Sequence, residues 1–115
     1  MKLSRQQIIK VFTELERLKK EGIWFSGIKG KGEYKEWHYN GQLAIDANYK
    51  NGELNGQYKQ WSEDGQLEID AEYKNDEEDG QYKQWHDNGQ LKIDAKYNDG
   101  KIIYRYEYNE NGNEI

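Results

Sequence analysis

The chain has 115 residues, of which 34% are hydrophobic and 34% charged; it holds no cysteine and carries a net charge of −5. That length fits one domain, and the composition excludes a thick aliphatic core, a disulfide frame and a thiolate metal site. Ten Tyr and four Trp supply the apolar area that the aliphatics lack, through flat rings whose polar tips tolerate partial exposure.

Residues 4–20 predict an amphipathic helix. Ser4 with Gln7 three residues later forms a capping box. Ile8, Val11, Phe12, Leu15 and Leu18 follow the spacing of one helical face. Lys19 and Lys20 suit the negative end of the helix dipole, and Gly22 is the stop signal. The segment 1–22 is therefore expected to be an α-helix that caps a sheet, with docking to a partner or a lipid surface as alternatives. No apolar leader follows Met1 and no run is long enough to span a membrane. The expected location is cytoplasmic.

Residues 23–31 look like a worn half repeat. Gly27, Gly30 and Gly32 form Gly-x-x-Gly-x-Gly, which is not the dinucleotide fingerprint and reads as a turn. From Gly32 a 24-residue phrase runs three times, opening at Gly32, Gly56 and Gly80. Each copy has a Tyr (Tyr34, Tyr58, Tyr82), a Trp (Trp37, Trp61, Trp85), a turn glycine (Gly41, Gly65, Gly89) and the string Leu-x-Ile-Asp-Ala-x-Tyr. A fixed short period marks a repeat architecture, which grows long binding faces.

Each copy predicts a β-hairpin. Asp64-Gly65, with Asn40-Gly41 and Asn88-Gly89 at the same place, predicts a two-residue loop. Leu67, Ile69, Ala71 and Tyr73 alternate with Glu68, Asp70 and Glu72, so one face is apolar and the other polar. The closing turn is Asn51-Gly52 in the first copy and Asn98-Asp99-Gly100 in the third, and the acidic run 76–79 replaces it in the second. The trailing segment 104–115 is a partial copy ending on Asn111-Gly112. The expected fold is mainly β: a single-layer twisted antiparallel meander of stacked β-hairpin repeats (32–55, 56–79, 80–103, partial 104–115) filling residues 23–115. The tryptophan ladder is either core or an exposed aromatic stripe, according to whether a bulge lies near Ser62.

The phrase Gly-x-Tyr-Lys-x-Trp-x-x-x-Gly-Gln-Leu, closing on Tyr-Lys-Asn-Gly-x-x-x-Gly, resembles the bacterial MORN-variant repeat over roughly residues 30–115. Asn75-Asp76 departs from the closing Asn-Gly, and Ile-Asp-Ala replaces the commoner polar filler. The resemblance implies a twisted antiparallel sheet of stacked hairpins. Some related bacterial proteins are described as antitoxins, and eukaryotic MORN proteins are linked to membranes and scaffolding. No functional residue carries over from the family to this chain.

Catalytic constellations are absent from the sequence. His38 and His86 occupy one repeat position two copies apart, roughly 20 Å at ordinary strand spacing, too far to share a metal ion. Asp46, Asp70 and Asp94 have the same spacing problem, and cross-strand pairing with lysines such as Lys59 and Lys83 is their expected role. No serine has nucleophile-elbow context. An enzyme, a cofactor and a metal are not expected.

Charge is the remaining guide. Residues 1–20 hold six basic and two acidic groups, +4, which leaves −9 on the rest. Segment 62–79 carries nine carboxylates against Lys74 alone. The charge solvates a thin sheet or forms an acidic face for a basic protein surface, such as that of a nucleic-acid-processing enzyme or toxin. Direct nucleic-acid binding is not expected, because the sheet is negative. The candidate contacts are Glu68, Asp70, Glu72, Asp76, Glu77, Glu78 and Asp79, with Trp61 and Trp85 if exposed. The sequence thus points to a non-enzymatic protein-binding module. The sharper version is a neutraliser (antitoxin, immunity protein or phage anti-defence protein such as an anti-CRISPR). The alternative is a scaffold that binds lipid or self-associates through its C-terminal edge.

Overall fold

Alternation in the repeated strings lays down strands, and short glycine-bearing turns return each strand against the last. The computed structural model describes residues 24–115. They form β1 (Trp24–Ile28), β2 (Lys31–Trp37), β3 (Leu43–Lys50), β4 (Glu53–Trp61), β5 (Leu67–Lys74), β6 (Glu77–Trp85), β7 (Leu91–Asn98) and β8 (Lys101–Glu107). All eight lie in one sheet in chain order, each antiparallel to its neighbours. The expected meander of stacked hairpins is what forms. The helix expected over 4–20, and its capping role, lie outside the described residues.

Register sorts the side chains into rows. On one face Tyr34, Ala47, Tyr58, Ala71, Tyr82 and Ala95 stand opposite one another strand after strand. Beside it runs a row of Glu36, Ile45, Gln60, Ile69, Gln84 and Ile93. The tyrosines cover the alanines, which are 0–1% exposed at Ala47, Ala71 and Ala95. Each row tyrosine also meets a second ring edge-on: Tyr34 with Tyr49, Tyr58 with Tyr73, Tyr82 with Tyr97, centroids 6.1–6.3 Å apart. Such pairs add about 0.5–1.5 kcal/mol beyond the area they bury. The opposite face carries Lys35, Asp46, Lys59, Asp70, Lys83 and Asp94 in one cross-strand row of alternating sign. Lys35 Nζ lies 3.6 Å from Asp46 Oδ2, and facing opposite charges contribute about 0.2–1 kcal/mol per pair. The aspartate–lysine pairing expected from the sequence is the pairing this register creates.

Three expectations are corrected. The loops at Gly41, Gly65 and Gly89 are not two-residue turns. Gly65 N donates to Ser62 O and Ser62 N to Gln66 O, with Gly65 alone left-handed at φ 88°. That is a three-residue loop, a type I turn closed by a left-handed glycine. The run 76–79 is not a loop either. Asn75 and Asp76 make the tight turn, with φ 51° and 65°, and Glu77 to Asp79 open β6. Asp and Asn tolerate that conformation, so the turn survives without its glycine. Residues 27–32 are mostly strand, with Lys29 and Gly30 alone between β1 and β2.

The strands are regular except at recurrent bulges. Opposite Glu72, β6 spends three residues, Asp79 to Gln81. Gly80 sits at their centre at φ 112°, and a Cβ there would lie 3.3 Å from Glu72 Cβ. We expect Gly80→Ala to cost about 1–3 kcal/mol through the left-handed conformation forced on the new side chain. Urea denaturation checks this, and an unchanged midpoint would show that the bulge relaxes freely.

Candidate partner-binding surface

The nine residues singled out by charge and aromaticity do not form one face. Asp70 lies within the charge row, flanked by Lys59 and Lys83. With Glu72, Gln57, Gln81 and Lys83 it lines a shallow groove of about 190 Å³ on that face. Glu68 is the extra residue of a bulge, since Gln60 faces Ile69 while Trp61 faces Leu67. Asp76 and Glu77 are exposed at the tight turn. There Asp76 Oδ1 accepts a hydrogen bond from Leu54 N at 2.6 Å. Glu78 pairs across to Tyr73, away from the groove. Asp79 Oδ1 accepts from Asp99 N at 3.0 Å. Asp70 and Glu72 are therefore brought together, while Asp76 and Glu77 form a second exposed group at the β5–β6 turn.

Trp37, Trp61 and Trp85 face Leu43, Leu67 and Leu91 and are half-buried. The ladder is neither the buried core nor a bare stripe. The bulge falls on the partner strand, at Ala44, Glu68 and Lys92, rather than near Ser62. The buried apolar residues among those described are Tyr34, Ala47, Ala71, Ile93, Ala95 and Tyr97.

The histidines have a role that the sequence did not reveal. His38 Nε2 lies 2.9 Å from Trp61 O, and His86 Nε2 lies 2.8 Å from Tyr108 O. A carbonyl only accepts, so each ring carries its proton on Nε2. Asn40 Nδ2 donates to Glu63 O and Asn88 Nδ2 to Glu110 O, at 2.6 and 2.7 Å. Each loop is thus tied to the next copy's loop. Where Ser62 replaces histidine, Gln66 Nε2 donates to His86 O at 3.2 Å. The recurrence of histidine at one repeat position was the available signal. Among the described residues no group of three or more His, Cys, Asp or Glu is placed to hold a metal ion. No helix among them is long and apolar enough to cross a membrane.

The sequence motif described as the MORN repeat variant matches residues 31–51, 54–75 and 78–99, together more than half of the chain. The chain belongs to the MORN repeat variant family. Each match takes in one antiparallel pair, from β2–β3 to β6–β7, with its edge-on tyrosine pair and left-handed glycines. MORN repeats are binding modules for proteins or membrane lipids. No curated protein matches the chain.

The tyrosine face titrates late. Burial, then the hydrogen bond to Glu36 and its charge, hold the Tyr34 hydroxyl far above the ordinary phenol range. Burial first, then Tyr82 and Glu78, push Tyr73 up to about 12. Burial likewise raises Tyr58 and Tyr82. The unfolded chain loses these protons near pH 10 and the folded chain later, so the contribution is complete below about pH 10 and falls as pH rises. We expect tyrosinate absorbance to show a late-ionising group, and urea midpoints to drop between about pH 10 and 12. A single ordinary transition for all ten tyrosines would contradict the burial of this face.

Proposed function

We propose that this MORN repeat chain is a non-enzymatic protein-binding module whose middle copy presents an acidic surface to a basic surface of its target. One observation carries the reading: positions outside the rows of the fold gather carboxylates in the second copy. The position held by Asn48 in copy one is Glu72 in copy two and Lys96 in copy three. Gly52, Asp76 and Gly100 share another, and at a third Glu77 keeps the acid of Glu53 where the third copy has Lys101. Asn40, Asp64 and Asn88 differ in the same sense in the loops. Glu63, Asp64, Glu72, Asp76 and Glu77 are all exposed. The charge row is balanced within itself, so the surplus falls on positions outside it.

A small acidic chain of this kind suits a neutraliser, an antitoxin, immunity or anti-CRISPR type of inhibitor, acting on a nucleic-acid-processing enzyme or toxin in the cytoplasm. The support is the chemistry of that surface: complementary charge steers encounter and rejects wrong partners. The competing scaffold reading, in which the chain self-associates or binds lipid, requires for lipid a basic contact surface, and the basic segment 1–20 is the stretch whose composition offers one.

The test is the triple variant Glu63→Lys, Glu72→Lys, Glu77→Lys, three exposed side chains none of which holds a left-handed turn position. Capture of a basic protein from nuclease-treated lysate by the tagged chain should fall at least tenfold. Surface changes of this kind leave stability within about 0.5 kcal/mol, so the urea midpoint should hold. Undiminished capture by the triple variant would overturn the acidic-surface reading. Binding to anionic vesicles in place of protein would favour the lipid alternative.

A further inference from the structure

The exposed large hydrophobic residues among those described avoid β2 to β7. On strands they fall only at the two ends of the sheet: Phe25 and Ile28 on β1, and Ile102, Ile103 and Tyr106 on β8. β8 is the last strand in the sheet order, and the chain after it covers only part of its outer edge. Ile115 N donates to Glu107 O and Tyr108 bridges Glu114, so the outer edge is taken at Glu107 and Tyr108. Among the described residues nothing pairs with the edge from Ile102 to Tyr106. Ile102 and Ile103 are 59% and 57% exposed and Tyr106 47%. An open apolar edge of this kind is a template for pairing with another chain.

β8 departs from the repeat by one residue. The turn glycines stand 24 apart from Gly41 to Gly65 to Gly89, but Gly112 follows after 23. With one residue fewer, the bulge shrinks to the single residue Ile103, since Lys96 faces Tyr104 and Tyr97 faces Ile102. Arg105 therefore lands opposite Ala95, where the row calls for tyrosine, and Tyr106 lands opposite Asp94, where it calls for lysine. Tyr104 and Tyr106 stack on the charged face, centroids 5.6 Å apart. Arg105 closes the tyrosine row instead, bonded to Tyr97 Oη at 3.2 Å and Glu107 Oε1 at 2.8 Å.

We propose that the open edge of β8 pairs antiparallel with β8 of a second copy of this chain, about a twofold axis at Tyr104. Such an axis, normal to the sheet, keeps every side chain on its own face and must pass through a residue. β8 reads Lys-Ile-Ile-Tyr-Arg-Tyr-Glu over 101–107, and an axis at Lys101 or Ile102 would overlap at most residues 101–103 of the two strands, so the choice lies among the later positions. An axis at Ile103 sets Lys101 against Arg105, and an axis at Arg105 sets that arginine against its own copy; like charges directly opposed are destabilising. An axis at Tyr106 needs the edge already taken at Glu107 and Tyr108. At Tyr104 the ring meets its copy, and Arg105 lies over Ile103. Lys101 approaches the end of the strand that carries Glu107 of the second copy. Glu107 carbonyl points outward to Ile115. Alternation then makes Tyr104 a non-hydrogen-bonded position on that edge, where facing Cα atoms come within about 4.5 Å. One short added strand buries less than the roughly 1,200 Å² of a standard stable interface, so the dimer is weak and concentration-dependent.

The full chain has no cysteine, so a single introduced thiol reports the axis directly. Tyr104→Cys should oxidise to a covalent dimer at least tenfold faster than Phe25→Cys at the opposite edge, within disulfide reach of its copy. Sedimentation velocity of the unmodified chain should show dimer growing with concentration towards the millimolar range. Ile103→Lys should weaken it at least tenfold and Ile28→Lys should leave it intact. A monomer at every concentration, equal cross-linking at both edges, or a dimer abolished by Ile28→Lys would each overturn the proposal. The triple charge variant of the middle copy leaves β8 untouched, so a failure there is distinguishable from a failure here.

Discussion

A sheet of one layer has no second layer to bury it, and the rest of this structure follows from that constraint. Apolar area must be removed from water by neighbours within the same face. Rows of Tyr34, Tyr58 and Tyr82 accomplish this by lying over Ala47, Ala71 and Ala95, which leave room for the rings. The most buried residues are therefore small ones, and no large side chain among those described is fully buried. The rings are half in water and half out, the condition to which tyrosine, with its polar tip, is suited. A larger residue at Ala71 would lift two tyrosines at once.

The same constraint explains the ties at both sheet edges. Stability in a stack of repeats is a sum of each unit and its contacts with the next. Loop-to-loop bonds from His38, Asn40, His86 and Asn88 join copies at one edge. At the other, Gly52 N bonds Gly30 O, Asp76 N bonds Leu54 O and Gly100 N bonds Glu78 O. These bonds fix how far each hairpin twists against the next. They also hold the tyrosine rows in register, because a slip of one residue would move every ring to the other face. β8 displays that consequence locally, where one missing residue has already exchanged the faces of Tyr104 and Tyr106.

Much of this was legible in the sequence. The period set the number of hairpins, alternation set the tyrosine face, and the aspartates were readable as partners of Lys59 and Lys83. What escaped was geometry that a local pattern leaves degenerate. A left-handed glycine serves a two-residue loop and a three-residue loop equally well, so Gly65 could not reveal that its loop has three residues. That one residue decides whether Trp61 faces Glu68 or Leu67. The histidine ties join residues 23 and 22 apart in the chain, a separation at which only the repeat itself carries a signal. The candidate contacts were chosen by charge along the chain. Folding disperses them, because residues 70, 76 and 78 fall on a row, a turn and the tyrosine face respectively.

The division between fixed and free positions bears on function. In each copy the rows claim Tyr, Ala, Ile, Lys and Asp, and the turns claim Gly, Asn or Asp. A substitution at a claimed position is felt by two neighbouring copies, so drift there is costly. Positions such as 48, 72 and 96 are held by no row, and there the chain carries Asn, Glu and Lys. Residues 48 and 72 each face a three-residue bulge, yet Asn48 bonds Gln57 O while Glu72 is exposed, so the backbone arrangement there does not itself call for an acid at 72. The paired row of Lys and Asp is nearly neutral along its length, so it gives the face little net field. A field of one sign can arise only from the unclaimed positions, and in the second copy these are acidic. The sheet thus separates its two tasks by address: rows hold the shape, and the residues between them set what that shape attracts.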